Sequence, residues 1–331
     1  EVIVSAEDLW IAGQGLDFRW VRTYRSRGGR TTPMGVNWDH SYNLFIEQEA
    51  GGGIAVNDGA GRRDVYFPDA DGVYGRDEFF NTGVLANDGF TLTFPDTGRW
   101  VFLPFDGSPR AGRIARIEDR NGNALRFEYD DAGRLVRVID TLGRPITVAY
   151  AGGFVASVTD FTGRVVKYQY HSPKSLSGGA GDLATATGPA VTGTPNGNDF
   201  PNGKTTAYTY SVGFSDPREN HLLLAVTDPR GQVPCRYVYQ HNQTDLEFLR
   251  CVRMTLGDDT NIVTFRYVAQ SPSPSNRYAA IKCIVNDAVG NVSECFFDSL
   301  NRCVRHLAYT GRAKVGVTTT ETDNRPAGKL R

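Results

Sequence analysis

Between Arg113 and Tyr170 apolar and polar residues alternate in short runs, and the runs are separated by turn residues. Leu125, Phe127 and Tyr129 share one parity, with Arg126 and Glu128 on the other; Ile146, Val148 and Tyr150 repeat the pattern, as do Val166, Tyr168 and Tyr170. A period of two is that of a strand with one face buried. Three times an Asp is followed at +3 by Gly and that Gly at +7 by Tyr: Asp119–Gly122–Tyr129, Asp140–Gly143–Tyr150 and Asp160–Gly163–Tyr170. Each Gly falls where a tight turn needs positive φ, which a residue with a Cβ adopts poorly. A spacing of roughly 20 residues is that of a reiterated supersecondary unit. The unit is a β-hairpin, with strands predicted at 124–130, 134–140, 145–150, 154–159 and 164–170, antiparallel and consecutive. On this reading the three tyrosines occupy equivalent positions on one face.

Further copies lie downstream. Asp228–Gly231 is followed by Tyr237 and Tyr239, which straddle the expected position, and Asp287–Gly290 reaches Phe297 at +7. Gly203 reaches Tyr210 at the same interval without its Asp. The second half of the unit recurs as well: Arg134-Leu135-Val136-Arg137 is echoed at Arg250–Arg253 and Arg302–Arg305. In the last copy Asn301 stands where the first has Gly133, and Asn is the next best residue for a left-handed turn.

The pattern D-x-x-G-x-x-x-x-x-x-Y-D-x-x-G-R-L, best kept from Asp119 to Leu135, resembles the YD repeat of RHS-repeat proteins. That group includes bacterial RHS toxins, the B/C shell of insecticidal toxin complexes, and teneurins. The resemblance covers roughly residues 105–310, and it implies an all-β fold of consecutive antiparallel hairpins in a curved, spiralling sheet, part of a β-shell. Residues 1–105 lack the repeat but carry alternating strands at Asp17–Tyr24 and Tyr42–Glu49. A hairpin turn is expected at Pro95-Asp96-Thr97-Gly98. The segments around Trp10, Tyr24 and Trp38–Tyr42 are similar to the stretch that leads into RHS repeats, where it starts or plugs the shell. The expected organisation is therefore a lead-in domain over 1–105, repeats over 106–310 and a polar extended tail over 311–331. A Gly/Ser/Thr/Pro-rich insert at 171–204 interrupts the repeats.

Composition narrows the function. Thirty-six Lys and Arg against 37 Asp and Glu give a net charge of −1, so no global field holds nucleic acid or an anionic membrane. No run approaches the ~18 apolar residues of a membrane helix and no signal peptide opens the sequence, which reads as part of something longer. The five cysteines, Cys235, Cys251, Cys283, Cys295 and Cys303, make a poor disulfide framework and contain no C-x-x-C. By repeat alignment Cys251 and Cys303 replace Leu135, so they are expected as packed free thiols.

No catalytic, cofactor-binding or metal-binding residue is expected. The pairs Asp130-Asp131 and Asp258-Asp259 fall in predicted turns, where Asp caps backbone amides more readily than it cleaves a glycoside. Asp119-Arg120-Asn121-Gly122-Asn123 lacks the rest of a calcium loop. The five His are scattered, and His40, in the Trp38–Tyr42 cluster, is expected buried and hydrogen-bonded. The residues that matter are structural: Asp119, Gly122, Tyr129, Gly133, Asp140, Gly143, Tyr150, Asp160, Gly163, Tyr170, Asp228, Gly231, Asp287, Gly290 and Phe297. The resemblance implies a shell segment that encloses or displays a C-terminal effector, a toxin cargo outside this sequence, exported to the medium or the cell surface. Its partners would be the remainder of the same polyprotein or neighbouring β-repeat subunits. The alternative is an adhesin-like β-repeat module that binds glycans or a protein partner through its loops.

Overall fold

The computed structural model describes residues 1–76, 79–257, 259–312 and 317–318. Among these the regular structure is strand, apart from two single-turn 3-10 segments at Pro217–Glu219 and Pro274–Asn276. All strand-to-strand pairings are antiparallel, as the Asp–Gly turns require. The chain forms two compact units, one of Ile3–Pro173 with Ala180–Thr205, the other of Glu1–Val2, Lys174–Gly179 and Thr206–Arg331.

The first unit begins with a three-stranded sheet of Ile3–Ile11, Phe18–Arg25 and Trp38–His40, with Phe18–Arg25 in the middle. Phe18, Trp20, Tyr24 and Trp38 are fully buried there. Each such ring removes ~150–250 Å² from water, so at ~25 cal/mol/Å² these four dominate the local core. A meander of fourteen strands follows, from Leu44–Gln48 to Leu183–Thr187, each paired to the next in chain order. The strands at Ala124–Tyr129, Leu135–Ile139, Pro145–Ala151, Phe154–Thr159 and Val165–Tyr170 agree with those read from the alternation to within a residue. Leu125 and Phe127 are buried while Arg126 and Glu128 are exposed, so the parity sets the two faces. The insert at 171–204 does not leave the sheet altogether, because Leu183–Thr187 pairs with Val165–Tyr170.

The second unit continues in the same manner from Thr205–Tyr210 to Cys303–Arg312, eight strands in consecutive pairs. Its interior holds an ion pair, Lys282 Nζ to Glu294 Oε1 at 3.5 Å, with both side chains under 5% exposed. Of the expected tail at 311–331, residues 311–312 finish the last strand, and the Val317 carbonyl accepts from Thr264 Oγ1 and Asn286 Nδ2. Residues 313–316 and 319–331 of that tail lie outside the described residues, as does Asp258.

Candidate functional site

The recurring feature is the turn. In Asp119–Asn123 the Asp N–H donates to the carbonyl at +4, the Gly122 N–H donates to Asp119 O, and Asp119 Oδ1 accepts from the amides at +2 and +4. The same four bonds recur at Asp130, Asp140, Asp160, Asp228, Asp287 and Asp298. Gly122, Gly133, Gly143, Gly163, Gly231 and Gly290 all have positive φ, and Asn301 takes the position at φ 60°. Gly133 carries a second constraint: a Cβ there would stand 2.1 Å from the Pro109 carbonyl oxygen.

The residue at +4 completes the turn, a role the Asp–Gly–Tyr spacing does not reveal. Arg134, Arg144, Arg164 and Arg302 donate from Nε to the second carboxylate oxygen of their Asp at 2.8, 2.6, 2.6 and 2.8 Å. Asn123 and Asn291 do so from Nδ2 at 2.7 and 2.8 Å. The legible signal is the Gly-Arg pair that ends the motif. At Asp119, Asp130, Asp160, Asp287 and Asp298 such contacts hold the carboxyl below the usual range. For Asp130 and Asp298 the leading cause is the backbone bond from +4, and for Asp119 it is the Asn123 amide. Asp160 is raised by burial first, and hydrogen bonds from Thr162 and Arg164 outweigh that. The turn also appears before residue 106, where no repeat is expected. Asp58 Oδ1 accepts from Ala60 and Arg62, and Asp69 Oδ1 accepts from Asp71 and Val73.

The tyrosines mark a second device. A register shift occurs at Glu128/Tyr129, Ala149/Tyr150, Gln169/Tyr170, Thr209/Tyr210, Val238/Tyr239 and Phe296/Phe297. Such a bulge bends its strand and re-aims the side chain. Tyr129 Oη then reaches back to the Ile114 carbonyl at 2.8 Å, Tyr170 Oη to Val155 O at 2.9 Å and Tyr267 Oη to Cys251 O at 3.2 Å. Tyr150 is half-buried, with the Arg134 guanidinium 5.1 Å above its ring. Burial raises the phenol pKa of all three repeat tyrosines, that of Tyr150 to about 12. Of the two candidates in the fourth copy, the bulge selects Tyr239, which is buried, over Tyr237.

Within the first unit the three-stranded sheet packs on the meander through polar contacts between residues far apart in sequence. Asp8 Oδ2 accepts from Arg22 Nε at 2.7 Å and from Tyr168 Oη at 2.6 Å, all three largely buried. The Val155 N–H donates to Pro33 O and the Val36 N–H to Gly181 O. Tyr42 meets Phe127 at 5.3 Å between ring centroids. His40 is fully buried against Trp20, 4.3 Å between rings, and accepts from the Tyr42 N–H; burial lowers its pKa to about 3, so it is a neutral packing group. The five cysteines are all free. Cys251 and Cys283 are buried, but Cys303 is exposed, unlike the Leu135 it replaces, since among the described residues its strand pairs only with Asn291–Phe297.

Comparison with known proteins follows this geometry. Residues 110–145, which contain three of the Asp turns, match the family described as RHS Repeat. This stretch carries an RHS repeat. Residues 1–66 match a domain of unknown function (DUF6531). Among curated protein sequences nothing matches. Among solved structures the chain is similar to the TcdB2–TccC3–Cdc42 complex, at 13% identity over 89% of this chain and 19% of that one, TM-score 0.35. It is also similar to the Photorhabdus luminescens Tc holotoxin pore, at 13% identity over 87% of this chain and 16% of that one, TM-score 0.27. The chain thus spans less than a fifth of either of those chains. Among the described residues no helix is long and apolar enough to cross a membrane.

Proposed function

We propose that this chain is a non-catalytic wall segment of an RHS shell, which encloses or displays a C-terminal effector domain outside this sequence. The observation that supports it is the repetition itself. One Asp-capped turn ends hairpin after hairpin in both units, so the sheet grows by adding copies of one unit. An architecture of this kind invests its side chains in extending a surface. In this reading residues 1–105 lead in, 106–310 are the repeats, and the Asp, Gly and Tyr positions act as structure. Its partners are the remainder of the same polyprotein or neighbouring β-repeat subunits, and the assembly is exported to the medium or the cell surface. The test is limited proteolysis of the parent gene product with and without this segment. The C-terminal domain should resist protease in the intact product and be cut once the segment is deleted. Equal susceptibility in both would overturn the reading.

A further inference from the structure

The Gly/Ser/Thr/Pro-rich insert ends in a folded lobe. Within residues 188–203 Val191 and Phe200 exchange backbone hydrogen bonds, the Gly188 N–H donates to Lys204 O, and Asp199 accepts from the Gly193 and Thr194 amides. A Cβ on Gly203 would stand 2.0 Å from the Gly188 carbonyl oxygen, so the two ends of the lobe are closed on each other. Val165–Tyr170 and Leu183–Thr187 run antiparallel with Lys167 opposite Thr187, which brings the lobe beside the Asp160 turn. Val166 and Tyr168 are buried, so Lys167 and Thr187 stand on the other face of the sheet. Between the lobe and the turn lies a crevice of about 610 Å³, with those two residues in its lining.

The crevice is charged on one side only. Arg164 and Lys167 line it, and no carboxylate does. Asp160, the acid of the adjoining turn, is spent there: Oδ1 accepts from the Thr162 and Arg164 amides and the Thr162 hydroxyl, and Oδ2 accepts from Arg164 Nε. That last bond fixes the guanidinium through Nε and leaves its Nη groups for a ligand. Lys167 is exposed, its cross-strand neighbours are Ser157 and Thr187, and among the described residues it meets no carboxylate. Asp199, the one acid of the lobe, has both oxygens on Gly193 and Thr194. Asn202 adds a neutral amide to the lining, and Pro189 and Pro201 give it an apolar wall of fixed φ.

We propose that this crevice holds a phosphate monoester of a small polar molecule, with the phosphoryl group on Arg164 and Lys167 and the organic part against Pro189 and Pro201. A phosphoryl group has more free oxygens than a carboxylate, and so it can use a guanidinium, an ammonium and the Asn202 amide together. The space is far larger than an inorganic ion needs, which leaves room for the esterified carbon body. The crevice does not depend on the shell reading, since a wall segment and an isolated module present this face of the sheet alike.

Calorimetric titration of the full chain with ribose 5-phosphate, ribonate, inorganic phosphate and ribose tests it. The phosphate ester should bind roughly tenfold or more tighter than each of the others, and more weakly as salt rises. Lys167→Ala should weaken that binding roughly tenfold, and Lys167→Arg should restore most of it. Asn202→Asp places a carboxylate in the lining at an exposed position and should abolish binding without lowering the melting temperature. Arg126→Ala, which removes an exposed charge from the strand Ala124–Tyr129, should leave binding unchanged. No binding of the ester, equal binding of ribonate, equal binding of inorganic phosphate, or full affinity in Lys167→Ala or Asn202→Asp would each overturn the proposal.

Discussion

In six of the seven repeat turns the Asp carboxylate does three things at once: it accepts two backbone amides, fixes the Arg or Asn at +4 and holds the chain where Gly, or Asn301 in the last copy, must turn. Its pKa is depressed at Asp119, Asp130, Asp160, Asp287 and Asp298, which makes it a stability term with a definite sign. Each such group stabilises the fold above its unfolded value of about 3.9, and that contribution is lost as pH falls through the lower folded value. Thermal melts should therefore drop steeply below about pH 4. Asp160→Asn, which removes one charge from a turn whose carboxylate is fully buried, should flatten part of that drop. Asp39 has the opposite sign. Its pKa is raised to about 7 by burial, so the fold favours its protonated form and loses stability as pH rises through 7. Asp39→Asn should raise the melting temperature more at pH 8 than at pH 5; an equal shift at both would show that the carboxyl is not protonated in the fold. The glycines separate two costs. Gly143→Ala meets only the left-handed φ, for which about 1–2 kcal/mol is expected, since nothing lies near its missing Cβ. Gly133→Ala adds a collision with the backbone at Pro109 and should cost clearly more in denaturant melts.

At the scale of the hairpin, the tyrosine links a bulge to the carbonyl of the residue 15 positions earlier. Tyr129→Phe keeps the ring and leaves the Ile114 carbonyl without that donor, for a loss of about 1 kcal/mol. Tyr129→Ala also empties the ring's volume and should cost about 3–5 kcal/mol. If chemical denaturation finds the two variants equal, the ring is not packed as described. Tyr150 is half-buried like Tyr129 but has Arg134 over its ring in place of the Tyr129 bond to a strand carbonyl, so it should lose less on truncation than Tyr129. This contrast shows what could be read in advance. Strand positions and faces followed from parity, because Leu125 and Arg126 differ by one step and one must face the core. Turn positions followed from Asp and Gly, whose roles are local. The bulge, which lies in the pairing with the following strand, and the hydroxyl bond, whose acceptor Ile114 is 15 residues back and unmarked in sequence, were not legible. The Asp58 and Asp69 turns were legible in pattern but lacked the Tyr that anchors the register. The Asp8–Arg22–Tyr168 contact was out of reach: it joins two runs 160 residues apart, and each of its members reads as an ordinary strand residue.

At the scale of the molecule, strand number limits what this chain can enclose by itself. Among the described residues the meander and the second unit together supply 22 strands. At about 4.8 Å between neighbours they span at most ~106 Å of sheet width. Even drawn into one complete ring, that width gives a diameter of ~34 Å between backbones, and inward side chains take ~10 Å of it. A folded effector of ~100 residues has a radius of gyration near 13 Å and so needs ~34 Å of free space. No arrangement of these strands alone in one turn can hold it. If the shell reading is right, further turns must come from the rest of the polyprotein or from other subunits. A folded reporter domain of ~100 residues, fused after Arg331 and expressed with this chain only, should therefore be cut by protease as fast as the free reporter. Protection of the reporter in a demonstrably monomeric fusion would mean that this chain encloses cargo without further turns, and the strand-count limit would fail.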